Sequence, residues 1–256
     1  MTDGTIDYGE RGRVIVVADA GALAQHAAEL VRDTTREVVS DRANAYVALS
    51  GGSTPKAMGA ILGAEPVRDE VPWGSVHFFW GDERWVPIES PESNAGEAIR
   101  GFLDHVPVPR DQVHPFDTSG NPAESAAKYE RLIRTVVPGA PLPMFDLILL
   151  GMGDDGHTAS LFPGTAALSI TDRLVTENWV EKLDATRLTF TAPLINAARH
   201  VAFLIAGAGK AERLAEVLDG EHDPVRLPSQ LIRPKHGQLT WLVDETAAAR
   251  LARAPK

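Results

Sequence analysis

The stretch Phe145-Asp146-Leu147-Ile148-Leu149-Leu150-Gly151-Met152-Gly153-Asp154-Asp155-Gly156-His157 joins a short apolar run directly to a glycine-rich loop. Residues 147–150 are uninterruptedly apolar, too short for a helix, and do not alternate as a strand with one wet face would. They are predicted to be a strand covered on both faces. The same pattern, rich in β-branched residues, recurs at 14–17, 46–49, 76–80, 201–205 and 239–243. Between these runs the apolar residues fall at helical spacing, as in Ala24, Ala27, Ala28, Val31 and Val38, and in Ala95, Ala98, Ile99, Phe102 and Leu103. Alternating strands and helices predict an α/β fold: an open, mostly parallel, Rossmann-like sheet with helices on both faces. The proline-rich stretches at 138–143 and 163–164 are short enough to be connections, so one domain over 1–256 is expected.

Composition narrows the function classes. With 25 basic and 35 acidic side chains the formal charge is −10, which disfavours nucleic acid or an anionic membrane as partner. The chain has no cysteine, which excludes disulfides, thiolate metal sites and a cysteine nucleophile and fits a cytoplasmic location. Residues 1–13 carry acids and glycines rather than an apolar stretch, and no apolar run approaches the ~20 residues that span a bilayer.

Ligands of open α/β sheets lie beyond the carboxyl ends of the strands, which singles out the loops that follow them. The first is Ser50-Gly51-Gly52-Ser53-Thr54-Pro55, a strand-to-helix turn. Thr54 is expected to be the helix N-cap with Pro55 at the first helical position, and free N–H groups at Gly51 and Gly52 with the hydroxyls of Ser53 and Thr54 suit a phosphate. A tight turn with an ordinary cap is the plainer alternative. In the second loop, Gly81-Asp82-Glu83-Arg84-Trp85, two readings stay open. Glu83 and Arg84 can pair at the surface, or Asp82 and Arg84 can face the cleft and hold a polyhydroxylated substrate or a developing charge.

The third loop is the one quoted at the outset. Gly151, Gly153 and Gly156 satisfy the dinucleotide fingerprint formally, but Pro163-Gly164 stops any following helix and Asp154 and Asp155 put negative charge where a pyrophosphate would lie. What remains is a carboxylate two residues before an imidazole. His157 can take a proton near neutral pH, Asp155 can orient the ring and stabilise the imidazolium, and neighbouring glycine N–H groups can bind an oxyanion. No second ligand cluster such as H-E-x-x-H accompanies them, so no metal is expected. Lys210, after the strand at 201–205, and Arg187 are candidate phosphate cations; the glycines before Lys210 do not have P-loop spacing.

Taken in order, the 50–55 loop, the 81–87 segment with Ser93-Asn94, the 151–163 motif, Arg187 to Asn196, Gly207 to Lys210 and 227–234 resemble the 6-phosphogluconolactonases, within a group that includes the glucosamine-6-phosphate deaminases. The resemblance covers nearly the whole chain. It implies no metal or organic cofactor, and hydrolysis of 6-phospho-D-glucono-1,5-lactone in the oxidative pentose phosphate pathway. It also implies phosphate held by Gly51, Gly52, Ser53 and Thr54 with Arg187 and Lys210, and His157 as base with Asp82, Arg84 and Asp155 around it. The partner is a sugar-phosphate lactone, and a monomer is expected. The deaminase is the alternative, but its histidine motif continues to Phe-Asn-Glu-Pro, where this chain has Ser160-Leu161-Phe162-Pro163, and it has tyrosine where this chain has Arg84. A sugar-phosphate sensor would need a DNA-binding segment, for which residues 1–13 show no helix-turn-helix pattern.

Overall fold

The computed structural model describes residues 4–253. In chain order its elements are β1 (Gly4–Asp7), β2 (Arg13–Val17), α1 (Ala20–Asp41), β3 (Ala45–Leu49), α2 (Ser53–Leu62), α3 (Val67–Glu70), β4 (Val76–Trp80), β5 (Asp82–Arg84), α4 (Asn94–Gly101) and α5 (Pro122–Val136). They continue with β6 (Leu147–Leu150), β7 (Val175–Val180), β8 (Ala185–Phe190), α6 (Ala192–Asn196), β9 (His200–Ile205), α7 (Ala211–Asp219), β10 (Gln238–Asp244) and α8 (Glu245–Ala248). Seven strands form a sheet of order β1-β2-β10-β9-β6-β3-β4, parallel except for the antiparallel edge strand β1. This is the expected open α/β sheet. All six apolar runs are its parallel strands. Every residue of β6 is buried, as uninterrupted apolarity requires of a central strand covered on both faces.

The second sheet, β5-β8-β7, is antiparallel and was not foreseen from the pattern. Its sequences Asp82-Glu83-Arg84, 175–180 and 185–190 are polar or mixed, so neither continuous apolarity nor clean alternation marks them. Gly81 carries the chain between the sheets: its N–H donates to the Leu49 carbonyl at 2.9 Å in the main sheet, and its carbonyl accepts from Phe190 N–H at 2.8 Å in the second. The small sheet therefore overhangs the carboxyl ends of β3, β4 and β6. A single contiguous apolar core runs from Tyr8 to Leu251 through both sheets.

Local details correct two expectations. The first α2 hydrogen bond runs from Lys56 N–H to the Gly52 carbonyl, so Gly52, at φ 114°, is the N-cap and Thr54 lies inside the first turn. Pro55 is tolerated there because the first-turn N–H groups lack intrahelical partners in any case. Helix α4 ends at Gly101, which leaves Phe102 and Leu103 beyond it, packed in the core.

Candidate active site

Residues 151–157 close on themselves without forming a helix: Gly153 N–H donates to the His157 carbonyl at 2.9 Å, and Gly156 N–H to the Gly153 carbonyl at 3.0 Å. These two glycine N–H groups are thereby consumed and are not the oxyanion donors that the sequence suggested. The glycines serve the ring instead. A Cβ on Gly153 would lie 2.0 Å from His157 Nδ1, and Gly156 adopts φ 80°, a region costly for any side chain. His157 Nδ1 lies 2.6 Å from Asp155 Oδ1, which also accepts the His157 backbone N–H at 3.1 Å. With the carboxylate ionised, Nδ1 carries the proton and Nε2 is the lone-pair nitrogen. Phe162 stacks on the imidazole with centroids 4.0 Å apart. Burial pushes His157 down to about 4, against the raising effect of Asp82, with Lys210 and Arg187 reinforcing the depression and Asp154 opposing it.

Strand alternation resolves the two readings left open at Asp82-Glu83-Arg84. Asp82 and Arg84 share one face of β5 and Glu83 points the other way. Glu83 is buried and belongs to no surface pair: Oε1 accepts the N–H groups of Arg84 at 2.8 Å and Asn94 at 2.7 Å, while Oε2 accepts Ser93 Oγ at 3.0 Å and Ala95 N–H at 2.9 Å. It caps α4 and fixes that helix to β5. Burial raises its pKa against the lowering effect of those backbone donors. Asp82 is also buried; Ser160 Oγ donates to its Oδ2 at 2.7 Å, and Asn94 Nδ2 donates to its carbonyl at 3.0 Å.

Arg84 pairs with Arg187 across the β5–β8 register. Side chains directly opposite on an antiparallel pair share a face, and like charges there repel. Arg187 is held below the usual guanidinium range by burial and by the Arg84 charge. An anion bound between them would relieve that repulsion. Lys210, immediately ahead of α7, donates to Asp154 Oδ1 at 2.5 Å and holds that carboxyl below the usual range.

Two adjoining concavities of about 340 and 300 Å³ share Asp82, Arg84, His157 and Ala159. Arg187, Asp155, Phe162 and Lys182 line the first, and Gly51, Gly52, Asn94 and Lys210 the second. The structure thus brings together eight of the ten singled-out residues. Ser53 and Thr54 lie in the first turn of α2 and line neither concavity. Gly51 has a steric reason for being glycine: a Cβ there would meet Asn94 Oδ1 at 1.8 Å. Glu83, Asn94, Ser160 and Lys182 were not singled out for roles. Glu83, Asn94 and Ser160 stood in quoted motifs without a role, whereas Lys182 stood in none and reaches the site through folding alone. Among the described residues no group of three or more His, Asp and Glu side chains is placed to hold a metal ion.

An imidazole–carboxylate pair and a cationic wall at the carboxyl edge of an open α/β sheet are an arrangement that can support acid–base chemistry on a small anion. The chain belongs to the family described as glucosamine-6-phosphate isomerases/6-phosphogluconolactonase, which matches residues 18–241. It is 43% identical to a 6-phosphogluconolactonase of Synechocystis sp., over 93% of this chain and 98% of that one. The solved 6-phosphogluconolactonase of Trypanosoma cruzi superposes with a TM-score of 0.82 at 30% identity, covering 97% of this chain and 99% of the other. A monomeric glucosamine-6-phosphate deaminase shares the fold with a TM-score of 0.77 at 22% identity, covering 93% and 99%. The fold therefore does not choose between the two reactions. Among the described residues no helix is long and apolar enough to cross a membrane.

Proposed function

We propose that the protein hydrolyses 6-phospho-D-glucono-1,5-lactone to 6-phospho-D-gluconate, with His157 as the general base. The observation that carries this reading is the His157–Asp155 pair, with Nε2 left for substrate, facing Arg84 and Arg187 across one cleft. Similarity to named lactonases over nearly the full chain supports the reaction class. In the reaction, Nε2 takes a proton from water as the water oxygen bonds to C1. The C1 oxyanion is held by Arg84, since the Gly153 and Gly156 N–H groups are engaged. Collapse then breaks the C1–ring oxygen bond, and the imidazolium returns its proton to that oxygen, leaving the acid. Asp155 stabilises the imidazolium meanwhile. The phosphate is taken by Arg187 and Lys210, with the Gly51-Gly52 turn beside them and Ser53 and Thr54 at the adjoining helix start.

Phe162 argues against deamination: the position that carries glutamate in the deaminase motif holds an apolar ring packed on the imidazole. Aldose–ketose isomerisation with amine loss needs additional proton carriers that this packing does not supply. The test is the rate of hydrolysis of fresh lactone by wild type and His157→Ala, each against the spontaneous rate. The variant is expected to lose about 10²- to 10⁴-fold in kcat with affinity for 6-phosphogluconate little changed. Wild-type turnover by His157→Ala would remove the base assignment, and ammonia release from glucosamine 6-phosphate would replace the reaction.

A further inference from the structure

We propose that Lys182 is a positioning residue of the reaction: it clamps Asp155 against His157 and balances the charge of that carboxylate. Lys182 sits at the tip of the β7–β8 hairpin, on a single 3-10 turn (Glu181–Leu183) closed by Asp184, whose φ of 47° and N–H bond to the Glu181 carbonyl at 3.0 Å turn the chain back. Its Nζ pairs with Asp155 Oδ2, the oxygen that His157 does not use. Asp155 is thereby held at both ends, by an ammonium at one oxygen and the imidazole at the other. The same Nζ lies 4.8 Å from the centroid of Phe162, the ring that stacks on His157. Two independent contacts therefore tie the hairpin tip to the two groups that fix the imidazole.

The consequence is electrostatic as well as geometric. A lone carboxylate at Nδ1 strongly favours the imidazolium and would draw His157 out of its base form. An ammonium on the far oxygen offsets this while leaving the hydrogen bond in place. The other charges facing His157 are Asp82 and Arg84 from β5, Asp154 from its own loop, Arg187 from β8 and Lys210 ahead of α7. These are three cations and two carboxylates, and the Asp155–Lys182 pair adds no net charge to them. The ring consequently remains a neutral base under mildly acidic conditions.

The inference rests on His157 being the base of the proposed reaction, so its test includes a measurement that needs no turnover. The imidazole of His157 is titrated by ¹⁵N NMR in wild type, Lys182→Met and Lys182→Arg, and the pH profile of kcat/KM for lactone hydrolysis is recorded for the same proteins. Lys182→Met is expected to raise the His157 pKa by about one unit. The acid limb of kcat/KM should move by the same amount, and Lys182→Arg should restore both. In an Asp155→Asn background the Lys182→Met shift should vanish. The side chain is half exposed on a turn, so these variants are expected to fold as wild type does. An unchanged or lowered His157 pKa in Lys182→Met overturns the proposal. So does a shift of equal size in Asp155→Asn, or a loss confined to KM with a parallel rise in the inhibition constant for 6-phosphogluconate, which would make Lys182 a phosphate ligand. A wild-type protein without lactonase activity would sink the reaction while leaving the NMR result to judge the clamp.

Discussion

Replacing Arg187 with methionine is expected to stabilise the ligand-free protein and weaken its hold on phosphorylated ligands, two effects of opposite sign from one charge. Arg187 and Arg84 are register partners on β8 and β5, and burial together with the Arg84 charge disfavours the charged form of Arg187. Opposed like charges on a strand pair cost roughly 0.2–1 kcal/mol. Methionine keeps an apolar stem of similar reach and removes the charge. For a chain of this size that corresponds to a Tm higher by about 1 to 3 °C. If Arg187 holds the phosphate as proposed, the same substitution deletes a charge-assisted hydrogen bond worth about 1.5–3 kcal/mol, or about 10- to 150-fold in Kd. Differential scanning calorimetry without ligand, and isothermal titration with 6-phosphogluconate, read the two effects separately. A lower Tm together with an unchanged Kd would refute the reasoning, because Arg187 would then be a structural cation satisfied by the protein itself.

Gly153→Ala puts a methyl group 2.0 Å from His157 Nδ1 and 2.8 Å from Asp155 Oδ1. Because Phe162 blocks retreat of the ring, kcat should fall by about 10²-fold with circular dichroism unchanged, and normal turnover would show that the pair tolerates displacement. Glu83→Gln presents an amide NH₂ to two of the four donors that the carboxylate now satisfies, whichever way it is turned. Turned so that the NH₂ meets Ser93 Oγ, which can accept from it, the amide still leaves the Ala95 N–H unpaired, which predicts a loss of roughly 1–3 kcal/mol in urea denaturation, and a loss under 1 kcal/mol would contradict the capping role. His114, His157 and His200 are each pushed down to about 4, chiefly by burial. Their folded values lie below the unfolded value of about 6.5, so the stability they contribute is complete above that pH and is lost as pH falls towards 4. Unfolding free energies at pH 7.5 and pH 5 should differ by a few kcal/mol, on the order of 1–2 kcal/mol for each partly buried ring, and equal values would show that the imidazoles charge freely in the fold.

The parallel sheet was legible because burial on both faces leaves one kind of trace, unbroken apolar runs such as Leu147-Ile148-Leu149-Leu150, and the rule that ligands gather past strand ends then located three of the site's loops. The second sheet left no such trace. Asp82, Glu83 and Arg84 are consecutive and charged, and nothing in their order says that the middle one turns inward to cap a helix ten residues on. Only the β5–β8 pairing fixes which side chains share a face. The helix start at Gly52 was misplaced by two residues because Pro55 is compatible with any first-turn position, so its presence marks a helix beginning without fixing the register.

The same reasoning explains why the cations of the site divided into the expected and the unexpected. Lys210 follows a strand at its carboxyl end and Arg187 precedes the apolar segment Leu188-Thr189-Phe190 inside β8, positions that made their charges suspect in the sequence. Lys182 lies in Glu181-Lys182-Leu183-Asp184, an ordinary polar hairpin turn by sequence, and contacts Asp155 only because the second sheet folds back over the first. In the folded chain each carboxylate of the Asp154-Asp155 dipeptide receives its own lysine, Lys210 from beyond β9 and Lys182 from the hairpin. The two acids that argued against a dinucleotide in the sequence thus become anchors that draw two separate parts of the chain onto the His157 loop. On the proposed reading, a phosphorylated substrate that takes Lys210 must compete with Asp154 for it, while Lys182 remains with Asp155 beside His157.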